Sequence, residues 1–190
     1  MQAAGTATKK KTWRYYEASR HHAYRRRYLK QWAKRVIAGQ RDTLVYLDET
    51  GFDLTAARTH GRAPRGQRVY GLRSGNRRPR TSLIGALVRG KLTAPMLFSG
   101  TTNTAVFNQW LEECLLPAIG KGMTLIMDNA IFHKSQATKD IVHKAGCSIL
   151  FLPPYSPELN PIEQTWANLK RERNYKPEIS LEYLIETSKY

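Results

Sequence analysis

Two short apolar runs, residues 123–127 and 147–152, flank a single helical stretch, and this arrangement constrains the fold more than any other feature of the chain. A strand, a helix and a second strand of one sheet make a right-handed crossover, so the two strands run parallel. Residues 135–144 supply the helix, with Ser135 as N-cap candidate and Gly146 as its stop. Ahead of it, residues 104–116 read as helix, with Val106, Phe107, Trp110, Leu111 and Leu115 on one side. Further upstream, residues 44–48 suit a buried strand, and residues 82–88 and 91–98 read as a hairpin turning at Arg89-Gly90. Pro153, Pro154 and Pro157 force a rigid, non-helical connection. Asn160-Pro161-Ile162-Glu163 then predicts a helix start, with a cap, a proline in the first turn and a capping-box glutamate. Residues 17–38 predict a first helix bearing Tyr24, Tyr28, Leu29, Trp32 and Val36, and a last helix begins after Ser180. An antiparallel set followed by crossovers predicts an α/β fold, a mixed sheet with helices on both faces.

Charge narrows the partner. The chain of 190 residues carries 31 Lys and Arg against 15 Asp and Glu, a net +16. Residues 1–41 hold twelve basic side chains and one acid, and residues 54–111 hold no acid at all. Such blocks predict a polyanionic partner, above all nucleic acid. A membrane surface would need a basic helix with a strong apolar face. Candidate phosphate contacts are Arg62, Arg65, Arg68, Arg77, Arg78 and Arg80, together with Lys134 and Lys170. Hydrophobic residues make up 41%, enough for a core, while no apolar run approaches the ~18 residues that span a bilayer. Cys114 and Cys147 form neither a disulfide framework nor a zinc spacing, so a reducing, cytoplasmic setting is expected.

Three acids stand where an ion site needs them. Asp48 and Asp128 each end an apolar strand, and Glu163 lies in the first turn of a helix. In open sheets with crossovers, ligands gather at the carboxyl ends of strands. Carboxylates brought together there repel unless cations neutralise them, and hard oxygen ligands suit Mg²⁺ or Mn²⁺. Two such ions can activate a nucleophile and stabilise the leaving oxygen of a phosphodiester. Each acid alone also fits a turn or a cap, Asp128-Asn129 as a turn pair and Glu163 in its capping box.

The surrounding words decide between these readings. They are Tyr46-Leu47-Asp48-Glu49-Thr50-Gly51-Phe52, then Met127-Asp128-Asn129-Ala130 with His133-Lys134, then the proline block from Leu152 to Glu163, then Trp166, Leu169 and Lys170. Thirty-four residues lie between Asp128 and Glu163. From about Lys9 onward the sequence resembles the catalytic domain of DDE transposases of the mariner-like superfamily, in particular the bacterial insertion-sequence branch. The resemblance implies a ribonuclease H-like fold and two divalent ions, Mg²⁺ or Mn²⁺, held by Asp48, Asp128 and Glu163. It implies cutting of DNA at terminal inverted repeats and transfer of the freed 3′ hydroxyl into target DNA, with no covalent protein–DNA intermediate. A homodimer on DNA is implied, because two element ends must be joined, in a bacterial, nucleoid-associated setting. Residues 1–41 resemble a basic linker and helix, and residues 42–190 the catalytic domain. The helix-turn-helix module that reads the repeats in such proteins is expected to lie outside these residues. The expectation is a second reading frame, a remnant, or a subunit that works with an upstream helix-turn-helix protein.

Asn129 and His133 are expected to stand behind the acids, Asn129 orienting Asp128 or a water, and His133 supporting the metal site, contacting DNA or serving structure. Glu49, next to Asp48 on a strand, is expected to face the other way and to serve structure or support the site from behind. Trp166 and Leu169 are expected in the core. The stretch from Gly85 to Lys91 fits a phosphate-loop pattern, but Leu92 stands where Ser or Thr is required and the stretch lies in a hairpin. Two rival readings are a non-catalytic basic nucleic-acid-binding protein and a transposase remnant that binds without cutting.

Overall fold

The structure is a computed structural model and describes residues 22–38, 40–53, 64, 68, 70, 80–154, 156–176 and 178–188. Helix α1, His22–Ile37, leads through a 3-10 turn into strand β1, Leu44–Asp53. Strands β2, Arg80–Val88, and β3, Lys91–Ser99, form the expected hairpin. Its turn places Arg89 at φ 50° and Gly90 at φ 78°, a left-handed pair that matches the twist of the flanking strands. The stretch resembling a phosphate loop lies in this hairpin, where no helix follows a strand.

Helix α2, Thr104–Trp110, passes through a π turn, Leu111–Leu115, into α3, Leu116–Ile119. The sequence predicts one regular helix here. Pro117 explains the difference, since it has no N–H to return to Glu113 and its ring crowds that carbonyl. The widened turn accommodates it, with the Leu116 N–H reaching the Leu111 carbonyl. The predicted crossover follows as β4, Thr124–Met127, α4, Gln136–Lys144, and β5, Ser148–Phe151. Ser135 caps α4, its Oγ accepting the Thr138 N–H at 3.0 Å, and Gly146 ends it at φ 72°. Helices α5, Ile162–Tyr175, and α6, Leu181–Thr187, complete the chain.

The strands form one mixed sheet in the order β3-β2-β1-β4-β5, antiparallel through β3, β2 and β1 and parallel from β1 to β5. Strand alternation divides the core. Val45, Leu47, Ile84, Ala86, Leu125 and Met127 meet Phe107, Trp110, Leu111 and Leu115 on one face. On the other, Phe52, Leu83 and Leu87 meet Ile162, Trp166 and Leu169 of α5, while Leu44, Ile126 and Leu150 meet Tyr28 of α1. Each fully buried large side chain contributes roughly 1.5–3 kcal/mol, so both helical layers are held by apolar burial. The first helix departs from its predicted stripe. Tyr24 and Leu29 are exposed, and the sheet is met by Tyr28 and by Trp32, whose Nε1–H donates to Tyr46 Oη at 2.9 Å. The start predicted for this helix, residues 17–21, and most of the basic stretch 54–79 lie outside the described residues.

Candidate active site

Asp48 projects from β1 toward α5. Its Oδ2 accepts the Nε1–H of Trp166 at 3.0 Å. Gly85 of β2 lies directly across from Asp48, and a Cβ there would stand 3.1 Å from Trp166 Cη2. The glycine therefore lets the indole lie against the sheet and reach the carboxylate. Burial, and then the charges of Glu163 and Glu49, push the Asp48 carboxyl up to about 7.

Asp128 follows β4. The parallel ladder of β1 and β4 ends at the pair Tyr46–Ile126, two residues short of both aspartates. Asp128 Oδ1 accepts the Ala130 N–H at 2.9 Å and lies 2.8 Å from His133 Nδ1. His133, 1% exposed, places its Nε2 2.9 Å from Glu49 Oε1. Burial disfavours the imidazolium, but the hydrogen bonds to Asp128 and Glu49 outweigh it and raise His133 to about 9. The ring is thus protonated at neutral pH and donates from both nitrogens. Burial also pushes Asp128 upward. The His133 and Ala130 hydrogen bonds and the positive charges of His133 and Lys134 overcome it and hold Asp128 below the usual carboxylate range.

Glu163 is exposed in the first turn of α5. The predicted cap for this turn takes another role. Asn160 turns its side chain away from the helix, and its Nδ2–H donates to the Leu47 carbonyl at 3.0 Å. Capping is given up because this bond ties the start of α5 to the residue before Asp48. Asn160 is buried, and among the described residues its Oδ1 has no hydrogen-bond partner.

Asp48, Asp128 and Glu163 line one cavity of about 480 Å³, with Asn129, Asn160 and the proline block around them. Among the described residues, no three acidic, His or Cys side chains approach closely enough to hold an ion as they stand. Asp48 is held by the Trp166 N–H and Asp128 by His133. The donors nevertheless fit a hard divalent cation. The carboxylates that line the cavity are all oxygen donors, and their mutual repulsion is what a cation relieves.

Residues 43–184 match the DDE superfamily endonuclease family. The chain belongs to that family. Comparison with curated proteins returns no match. Among solved structures, this DDE endonuclease domain is similar to a Mos1 transposase paired-end complex with left transposon end, at 18% identity and a TM-score of 0.69, over 91% of this chain and 53% of that one. It is similar to a mariner Mos1 paired-end complex with Mg at 19% identity and a TM-score of 0.69, over 90% and 53%. The catalytic domain of Mos1 mariner transposase matches at 17% identity and a TM-score of 0.58, over 80% and 71%. The chain thus spans about half the length of the Mos1 chains in the paired-end complexes. These likenesses establish the ribonuclease H-like fold, as expected.

In this DDE domain the remaining expected residues fall into three groups. Asn129 does not bond Asp128. It lines the cavity and its Nδ2–H donates to the Leu152 carbonyl, joining the ends of β4 and β5. His133 is buried, which removes direct DNA contact from its roles. Arg68, Arg80, Lys134 and Lys170 are exposed, while Arg62, Arg65, Arg77 and Arg78 lie outside the described residues. The Arg80 guanidinium fills the space that a Cβ on Gly51 would need. Lys170 Nζ stands 6.0 Å from the Phe52 ring centroid. Sequence reasoning missed two links, Trp166 to Asp48 and Glu49 to His133. The first had a signal, because a buried indole N–H needs an acceptor and Trp166 follows Glu163 by three residues on one helix.

Proposed function

We propose that this chain is the catalytic domain of a DDE transposase of the bacterial insertion-sequence branch. It cuts DNA at the terminal inverted repeats of its element and transfers the freed 3′ hydroxyl into target DNA. The observation that carries this reading is the shared cavity of Asp48, Asp128 and Glu163, three acids from three elements, with Asp48 pushed up to about 7. The family match and the Mos1 structures, described as complexes with transposon-end DNA and with Mg, support it.

In this reading Asp48, Asp128 and Glu163 hold Mg²⁺ or Mn²⁺, two ions in all. When bound, such ions activate water and stabilise the leaving oxygen of the phosphodiester. The protein's own side chains do the positioning. Trp166 fixes Asp48, the Asn160 amide ties the Glu163-bearing turn to β1, and the proline block walls the cavity. The exposed Arg68, Arg80, Lys134 and Lys170 bind phosphates, joined by Arg62, Arg65, Arg77 and Arg78. Residues 1–41 serve as a basic linker into the catalytic domain, residues 42–190. An upstream helix-turn-helix protein or fused frame reads the ends, and two copies join them. The setting is the bacterial cytoplasm, at the nucleoid. Among the described residues no helix is long and apolar enough to cross a membrane.

The test is nicking of DNA that carries the terminal inverted repeats, with Mn²⁺ and the upstream DNA-reading protein present. The wild type should nick, and Asp48→Asn, Asp128→Asn and Glu163→Gln should not. Absence of wild-type nicking under these conditions rejects the proposal in favour of a protein that binds DNA without cutting it.

A further inference from the structure

His133 joins two strands at the point where their backbone pairing has ended. The β1–β4 ladder closes at Tyr46–Ile126, so no strand-to-strand hydrogen bond fixes the distance between Asp48 and Asp128. Past that point the connection runs through side chains. Glu49, one residue beyond Asp48 on the opposite side of the sheet, meets His133 Nε2 at 2.9 Å, and His133 Nδ1 meets Asp128 Oδ1 at 2.8 Å. The imidazole has little room to turn, because its ring centroid lies 4.3 Å from that of Phe107 and 4.2 Å from that of Phe132. The Ala130 N–H donates to the same Oδ1 at 2.9 Å. Two donors thus converge on one oxygen of Asp128 and neither touches Oδ2. A carboxylate held in this way has its rotation fixed and one oxygen already satisfied.

We infer that Glu49 and His133 are positioning residues for divalent-cation binding, acting through Asp128 so that Oδ2 is the oxygen offered to an ion. The inference rests on the reading of Asp128 as a ligand. Ligating carboxylates are commonly oriented by hydrogen-bond partners one layer out, and loss of such a partner weakens metal affinity by about 10–100-fold. Here the partner is itself anchored, since Glu49 holds the far side of the ring to the strand that bears Asp48.

The experiment measures Mn²⁺ affinity of the full chain, by the electron paramagnetic resonance signal of free Mn²⁺, alongside unfolding in EDTA. Four variants are compared with wild type: His133→Leu, His133→Asn, Glu49→Gln and Asp128→Asn. Asparagine at 133 can place an amide N–H close to where Nδ1 stands, which keeps the donor to Asp128 and loses the link to Glu49. The expected result is affinity weakened about 10–100-fold in His133→Leu and partly restored in His133→Asn, with Glu49→Gln between them and wild type. A purely structural role predicts lower stability in EDTA with unchanged Mn²⁺ affinity, and that result overturns the inference. Should His133→Leu not fold, unchanged affinity in both of the milder variants overturns it equally. If wild type binds no Mn²⁺, or Asp128→Asn binds it as tightly as wild type, the ligand reading of Asp128 falls and the positioning role with it.

Discussion

Replacing Asp48 by asparagine should stabilise the cation-free protein at alkaline pH. In the fold, burial and the charges of Glu163 and Glu49 hold the Asp48 carboxyl at about 7 against an ordinary 3.8. Between these values the folded state keeps a proton that the unfolded chain has released, so stability falls as pH rises through the window and levels off above it. At 1.36 kcal/mol per pH unit, the loss is roughly 1.5 kcal/mol at pH 5 and on the order of 4 kcal/mol at pH 8. Asparagine cannot ionise, and its carbonyl oxygen can still accept the Trp166 N–H. His133 adds its own dependence, because its rise from 6.5 to about 9 gives stability that is full below 6.5 and lost as pH climbs through the higher value. Both proteins share that part, so it cancels in their difference. The assay is urea unfolding in EDTA at pH 5 and pH 8. The stability of Asp48→Asn relative to wild type should increase by about 2–3 kcal/mol between the two. A difference independent of pH, or one that shrinks, refutes the account of Asp48 as a carboxylate held up by burial and like charge.

Gly85→Ala should destabilise by about 1–3 kcal/mol in urea unfolding, because its Cβ would meet Trp166 Cη2 and Leu92 Cδ1, each at 3.1 Å. The same substitution should also weaken Mn²⁺ binding, since Trp166 must move away from Asp48. Asn160→Leu removes the donor to the Leu47 carbonyl and should lower stability by about 1–3 kcal/mol on thermal or urea unfolding. For DNA, log affinity should fall steeply with log salt concentration, and Lys134→Ala and Lys170→Ala should each reduce the magnitude of that slope by about 1. A slope unchanged by either removes that residue from the phosphate contacts.

The fold was largely legible because the features that specify it are local. Alternating short apolar runs, Ser135, Gly146 and the Arg89-Gly90 turn act within a few residues, and each did what its chemistry predicts. The three acids were legible as neighbours because strand ends and a helix start have few places to go in a crossover sheet. What could not be read are bonds between residues far apart in the chain. Asn160 looked like a cap, a local role, and instead bonds Leu47, 113 residues away. His133 was ambiguous for the same reason, since its second partner, Glu49, is 84 residues upstream. The π turn at 111–115 needed attention to Pro117, whose effect on the preceding turn competes with a regular apolar stripe.

The charge layout of the site sets an order on its partners. On one side of β1, Glu49 and Asp128 share the His133 cation. On the other, the influences of the described residues on Asp48 are burial, three other carboxylates and one backbone hydrogen bond, and among the described residues none is a basic side chain. In a chain with 31 Lys and Arg, a cation for Asp48 was available in composition, and among the described residues none is supplied. A lysine there would neutralise the pocket and fill it. The uncompensated charge lowers stability, as strain kept at functional sites does. It also repels phosphate, although the outer basic side chains attract it. DNA should therefore enter the cavity only once the carboxylates are neutralised, so Ca²⁺ or Mn²⁺ should tighten DNA binding to wild type. Asp48→Asn should bind DNA more tightly than wild type in EDTA and gain less from added cation. Fluorescence anisotropy with labelled duplex at fixed ionic strength reads both effects. Equal affinity of wild type with and without cation would show that the phosphates never meet these carboxylates, and the electrostatic reading of the cavity would then be wrong.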